Sequence, residues 1–125
     1  MTIEQNAELV IRVTAMPTDL NPYGGVFGGW LMCQLALGAS SLATRRTGHK
    51  AILVAASDFT FPAAMAVGDE LSVHAEVVRL GRTSIVLEAA GFGRERASEA
   101  VRKVASGTFT FVAVDENDRP RPLAD

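Results

Sequence analysis

Hydrophobic and polar positions alternate at the start of the chain, lose that alternation for about twenty residues, and then recover it. Across residues 8–15, Leu9, Ile11 and Val13 fall on one side of an extended segment, with Glu8, Arg12 and Thr14 on the other. That period of two predicts a half-buried strand. Between Gly28 and Arg46 the apolar residues Trp30, Leu31, Met32, Leu35, Leu37 and Leu42 occupy every side of a helical wheel. A helix of this kind is expected to be wrapped by other structure. It is preceded by a loop rich in Pro, Asn, Asp and Gly, from Met16 to Val26, and it ends with Arg45, Arg46 and then Gly48. Two cations in a last turn with a glycine beyond them mark a helix C-terminus.

Only strand patterns follow. AILVAASDFTF leads through PAAMAVGDE to LSVHAEVVR, where Leu71, Val73, Ala75 and Val77 alternate against Ser72, His74 and Glu76. LGRT then makes a short hairpin turn into SIVLEAAGF, and AVRKVASGTFTFVAV supplies a last long strand before the polar tail DENDRPRPLAD. The order of one strand, one long helix and about four antiparallel strands predicts an α+β domain, a sheet curled around a helix.

Composition narrows the function. At 125 residues with 48% hydrophobic and 21% charged residues, the chain is expected to form one globular domain, residues 1–125, without linker or repeat. Its net charge of −2 and the lack of any Lys/Arg run longer than a pair such as Arg45 and Arg46 speak against nucleic acid as a partner. No apolar run approaches the length of a membrane span. A lone cysteine, Cys33, cannot form an internal disulfide, and the N-terminus lacks the pattern of a signal peptide, so the cytoplasm is the expected compartment. Two histidines and one cysteine far apart do not make a zinc site, and GGVFGG lacks the βαβ setting of a dinucleotide fingerprint.

The chemistry concentrates in NPYGGVFGGWLMCQLALG, residues 21–38. Free N–H groups at a helix N-terminus stabilise a developing anion, and glycines at positions 28 and 29 allow a substrate to approach closely. The plainer alternative is that Gly24, Gly25, Gly28 and Gly29 only shape a tight loop.

Four stretches in order, AMPTDLNPYGGVFGGWLMCQLALG, FTFPAAMAVGDEL, GRTS and FVAVDENDRPRPL, make the sequence resemble the YciA-like bacterial acyl-CoA thioesterases of the hotdog fold over nearly its whole length. The resemblance implies an antiparallel sheet wrapped around one central helix. It also implies protomers that pair so that their sheets join, dimers at least, with further assembly into tetramers or hexamers. An acyl-CoA would lie at the protomer interface, with coenzyme A as part of the substrate and no cofactor. Asn21, Gly28 and Gly29 would face the thioester; Gly81, Arg82, Thr83 and Ser84, with Arg119 and Arg121, would lie along the CoA moiety.

One expected residue is missing. The family places an acid on the helix seven residues after the second glycine, to act as general base or nucleophile, and this chain has Ala36 there. From Gly28 to Arg46 there is no Asp, Glu or His. Alanine cannot accept a proton. Three readings stay open: the acid has been replaced, by nature or by design, on an otherwise intact thioesterase; another group has taken the role; or the protein binds an acyl-CoA without cutting it. For the second, Asp58 is the candidate. The resemblance puts an acid one residue earlier, at Ser57, and one residue on a strand means the opposite face. His49 and His74 read as solvated. Ser40, Ser41, Thr44 and Cys33 lie on the helix without a base to activate them. A hotdog dehydratase would need a His paired with an acid near the helix, which this helix does not offer.

Overall fold

The computed structural model describes residues 6–124. Strand β1 (Glu8–Thr14) leads through a short 3-10 turn (Pro17–Asp19) to helix α1 (Gly28–Thr47). Strands β2 (Lys50–Thr60), β3 (Glu70–Leu80), β4 (Ser84–Arg94) and β5 (Val101–Val114) follow. They form one sheet in the order β1-β3-β4-β5-β2, and every pairing is antiparallel. The predicted α+β architecture is the observed one, and the 3-10 turn is the element that the sequence pattern did not announce.

Helix α1 lies across one face of the sheet and buries Leu31, Leu35, Gly38, Ala39, Leu42 and Ala43. Beneath them are Leu71, Val73, Ile85, Leu87, Phe109 and Phe111, all at most 2% exposed. Gly38 sets the closeness of approach, because a Cβ there would fall 2.6 Å from Val10 Cγ2. At the far end Gly48, with φ 71°, donates its backbone N–H to the Thr44 carbonyl. The expectation of a helix wrapped all round is corrected: within one chain the sheet covers one side only. Leu37 stays 59% exposed and Met32 37%.

The first strand also departs from its simple alternation. A bulge between Leu9 and Ile11 shifts the register, pairing Leu9 with His74 and Glu8 with Ala75. An extra residue on one strand reverses which side chains face the core. Val10 therefore packs on the core with Ile11 and Val13, while Leu9 is 45% exposed. The same shift swings Glu8 to the helix side, where its carboxylate meets Arg46 at 3.0 Å and Arg45 at 3.6 Å.

Strand β2 forms one border of the sheet and exposes Ile52, Leu53 and Val54. An apolar border strand with open backbone groups invites pairing. Beyond it, buried Asp69 accepts hydrogen bonds from the Ala66 N–H and from Arg102, which also donates to the Ala64 carbonyl. This fastens the connection from Pro62 to Asp69, whose Met65 carbonyl in turn accepts from the Val26 N–H, next to the helix start.

Candidate active site at the helix mouth

The loop before α1 closes on itself. Leu20 and Val26 form a bridge, and the Asn21 Oδ1 accepts from the N–H groups of Tyr23 at 2.8 Å and Gly25 at 3.2 Å. Asn21 is thus the organiser of an Asx-type turn, and its amide nitrogen is the end able to reach outward. Gly24, at φ 96°, completes the turn in a conformation that suits glycine. The Phe27 N–H then donates to the Asp19 carbonyl at 2.8 Å, which fixes where the helix begins.

At that beginning the helix is uncapped. Phe27 occupies the N-cap position without a side-chain hydrogen bond, and the first turn carries no acid. The N–H groups of Gly28 and Gly29 precede the first intrahelical donors, Trp30 and Leu31, which both reach the Phe27 carbonyl. Such a terminus carries partial positive charge and open donors. The two glycines differ in what surrounds them. A Cβ on Gly28 would meet the Phe61 ring at an ordinary 3.8 Å, whereas one on Gly29 would lie 2.5 Å from the Phe27 ring. A side chain at Gly29 would therefore require the exposed Phe27 ring to move aside.

An open groove of about 450 Å³ runs from this mouth, lined by Asp19, Phe27, Gly29, Trp30 and Cys33 among others. Cys33 is exposed and in no disulfide. Ala36 is half-buried against the core one turn further along α1. Asp19 was not singled out from the sequence, although it is the one acidic residue between Met16 and Val26. Its Oδ2 accepts from the Met16 N–H at 2.8 Å, while among the described residues Oδ1 has only the Thr18 hydroxyl, at 3.5 Å.

Asp58 lies elsewhere. It has φ 58°, at a bulge between Ser57 and Thr60. Ser57 pairs with Thr108, which pairs with Glu88, which pairs with Glu76, so these residues share the sheet face away from the helix. Asp58 lines a cleft on that face with His74, Glu76, Glu88, Lys103 and others, and it does not line the groove at the helix mouth. His74 stands edge-on to Phe92, with its Nδ1 buried and unpartnered among the described residues. Burial lowers the basicity of its imidazole below the usual value, and the nearby Arg12 guanidinium lowers it further. His49 follows the helix cap and joins the hydrogen bonding around Thr47.

The remaining candidates gather at the opposite end of β2. The Ala113 N–H donates to Thr83 O, the Arg121 N–H to Ala113 O and the Leu123 N–H to Arg82 O, each at 2.9 Å. Gly81 closes the turn by donating to Ser84 O. The turn at 81–84 and the tail carrying Arg119 and Arg121 are therefore one structural unit, although some 35 residues apart in sequence. Ser84 pairs with Val112, which pairs with Ile52 near the start of β2, whereas Phe61, just past its end, touches the helix mouth. At strand spacing, roughly 25 Å separates the two clusters. A single chain does not bring them together.

One helix cradled by a five-stranded antiparallel sheet, with an open glycine-rich helix mouth, defines the hotdog class. The Thioesterase superfamily matches residues 23–100, and the chain belongs to that family. It is 47% identical over 113 residues to an uncharacterized acyl-CoA thioester hydrolase of Zymomonas mobilis, covering 90% of this chain and 76% of that one. It is 39% identical over 119 residues to the acyl-CoA thioester hydrolase YciA of Salmonella typhimurium, covering 93% and 90%. Among solved structures, it superposes with a TM-score of 0.89 and 35% identity on a hexameric broad-specificity acyl-coenzyme A thioesterase, covering 93% and 86%. That structure is of an aspartate-to-alanine mutant enzyme. Among the described residues no helix is long and apolar enough to cross a membrane.

Proposed function

We propose that this protein hydrolyses acyl-CoA thioesters to a carboxylic acid and free coenzyme A. The observation that carries the reading is the uncapped start of α1, whose N–H groups at Gly28 and Gly29 have no cap and whose Gly29 lines an open groove of about 450 Å³. When water adds to a thioester carbonyl, charge develops on the oxygen, and preorganised donors there are worth about 3 kcal/mol each. The Asn21 amide nitrogen, left over once its oxygen is taken up by the loop, would serve as a second kind of donor. The family membership and the acyl-CoA thioester hydrolase relatives support the substrate class.

The active unit is a homo-oligomer, at least a dimer. In one chain the turn at 81–84 and the arginines of the tail lie at one end of β2 and the helix mouth at the other. An antiparallel two-fold pairing of β2 edges sets the start of one strand against the end of its partner, so the CoA-binding end of one protomer meets the helix mouth of the next. The exposed Ile52, Leu53, Val54 and Leu37 are the apolar surface that such an assembly would cover. The hexameric state of the solved relative fits this arrangement.

A second reading, binding of acyl-CoA without hydrolysis, is favoured by one residue, Ala36. The test is thiol release from acyl-CoAs of short to long chain by the protein and by Ala36→Asp side by side. Release by both supports hydrolysis with a base elsewhere. Release by Ala36→Asp alone, with saturable binding by the unmodified protein, supports the binder. Neither release nor binding by either protein would sink the proposal.

A further inference from the structure

We propose that Asp19 is the general base of this protein, a reading that rests on thioester chemistry at the helix mouth. Among the described residues, it is the carboxylate that lines the groove running past Gly29, whereas Asp58 opens on the opposite face of the sheet. Its position is set by the backbone: the Asp19 carbonyl accepts from the N–H of Phe27, the residue immediately before Gly28. Its side chain is half-buried and held at one oxygen, because Oδ2 takes the Met16 N–H at 2.8 Å and closes the 3-10 turn. Among the described residues the other oxygen, Oδ1, has only a long contact to the Thr18 hydroxyl, which leaves it able to hold a water for a carbonyl seated at the helix mouth. A base must be fixed in place and keep an uncommitted oxygen, and Asp19, held through Oδ2 on the lining of the groove, meets both conditions.

The step balances. Oδ1 takes a proton from the water as its oxygen forms a bond to the thioester carbon. The carbonyl π pair moves onto oxygen, where the Gly28 and Gly29 N–H groups hold it. Collapse of the tetrahedral species re-forms the C=O bond and breaks the C–S bond, and the departing sulfur recovers the proton from Asp19. Free thiol and carboxylic acid leave, and the carboxylate is regenerated.

Asp19→Asn tests this, because an amide oxygen can still accept the Met16 N–H but cannot take a proton. The measurements are steady-state thiol release, affinity for a non-hydrolysable thioether analogue of acyl-CoA, and melting temperature, on the unmodified protein, Asp19→Asn and Ala36→Asp. The expected result is a kcat at least about 100-fold lower in Asp19→Asn, with analogue affinity within about threefold of the unmodified protein and unchanged melting. An Asp19→Asn protein that turns over within about threefold of normal overturns the assignment. So does loss of analogue binding in step with kcat, which would make Asp19 a binding residue. If the unmodified protein is inert while it binds the analogue, Asp19 is not a base, whether or not Ala36→Asp turns over. Failure of all three proteins to bind or cleave would instead remove the thioester reading itself.

Discussion

The ring of Phe27 occupies the space in which a side chain on residue 29 would begin: a Cβ at Gly29 would lie 2.5 Å from Phe27 Cε2 and 3.0 Å from Cζ. Glycine is a poor helix residue, so something at this position must favour it, and the ring is the nearest cause. Because Phe27 is 54% exposed, its ring can swing aside, and Gly29→Ala is expected to change stability by no more than about 1 kcal/mol, the ring's displacement offsetting alanine's helix preference. In a Phe27→Ala background the same change should instead stabilise by up to about 1 kcal/mol, the ordinary helix preference of alanine. Urea unfolding of the four proteins of this cycle measures the coupling. Additive effects would show that the ring does not dictate the glycine.

Asp58 sits in the left-handed region at φ 58°, within a strand bulge. Asp58→Gly should be neutral or stabilising by up to about 1 kcal/mol, while Asp58→Val should cost about 1–3 kcal/mol, since a β-branched side chain resists that conformation. Asp58→Asn, which tolerates the backbone, should leave thiol release within about twofold. A large fall in turnover with normal stability would return Asp58 to the candidates for base.

His74 gives the fold a pH dependence. Its imidazole is held below its usual basicity by burial first and by Arg12 second. Between the lowered folded value and the ordinary unfolded one, the unfolded chain binds more protons. Stability is therefore complete above the unfolded value of about 6.5 and declines as pH falls through it. His74→Gln should flatten this part of the profile, as read from the urea midpoint at pH 7.5 and pH 5.5. An unchanged slope would assign the dependence to other groups.

Intersubunit complementation tests the composite site. Gly28→Leu fills the helix mouth, and Arg82→Ala combined with Arg121→Ala weakens the end proposed to bind CoA. Each protein alone should be nearly inactive. Co-refolded in equal amounts, random pairing makes about half the dimers mixed, and one of two sites in each is intact, so activity should return to about a quarter of normal. No recovery would mean that both halves act within one chain.

The fold was largely legible because its signals are local. Alternation marked β1 and β3, strand-like runs between turns marked β2, β4 and β5, and the cationic end with Gly48 marked the helix stop. The bulge at Val10 was not legible, since one extra residue reverses faces without altering the composition of ELVIRVT, and only pairing with β3 reveals it. The apolar ring around α1 read as full enclosure, because sequence cannot distinguish burial by its own sheet from surface awaiting a partner. At the site, the glycines and the turn at 81–84 were visible as motifs. Asp19 was hidden by its neighbours: within AMPTDLNPYGG it looks like turn chemistry, and its nearness to Gly29 comes from the Phe27 to Asp19 hydrogen bond that closes the loop.

The tail after β5 is stitched to the molecule at two backbone points, Arg121 to Ala113 and Leu123 to Arg82, with Lys50 and Asp118 paired beside them. It acts as a splint across a hairpin whose strands are already fully laddered. A protease nick near Asn117 would leave the sheet and the helix mouth standing while freeing the arginines at the far end, so limited digestion offers a way to silence one half of the site by scission alone.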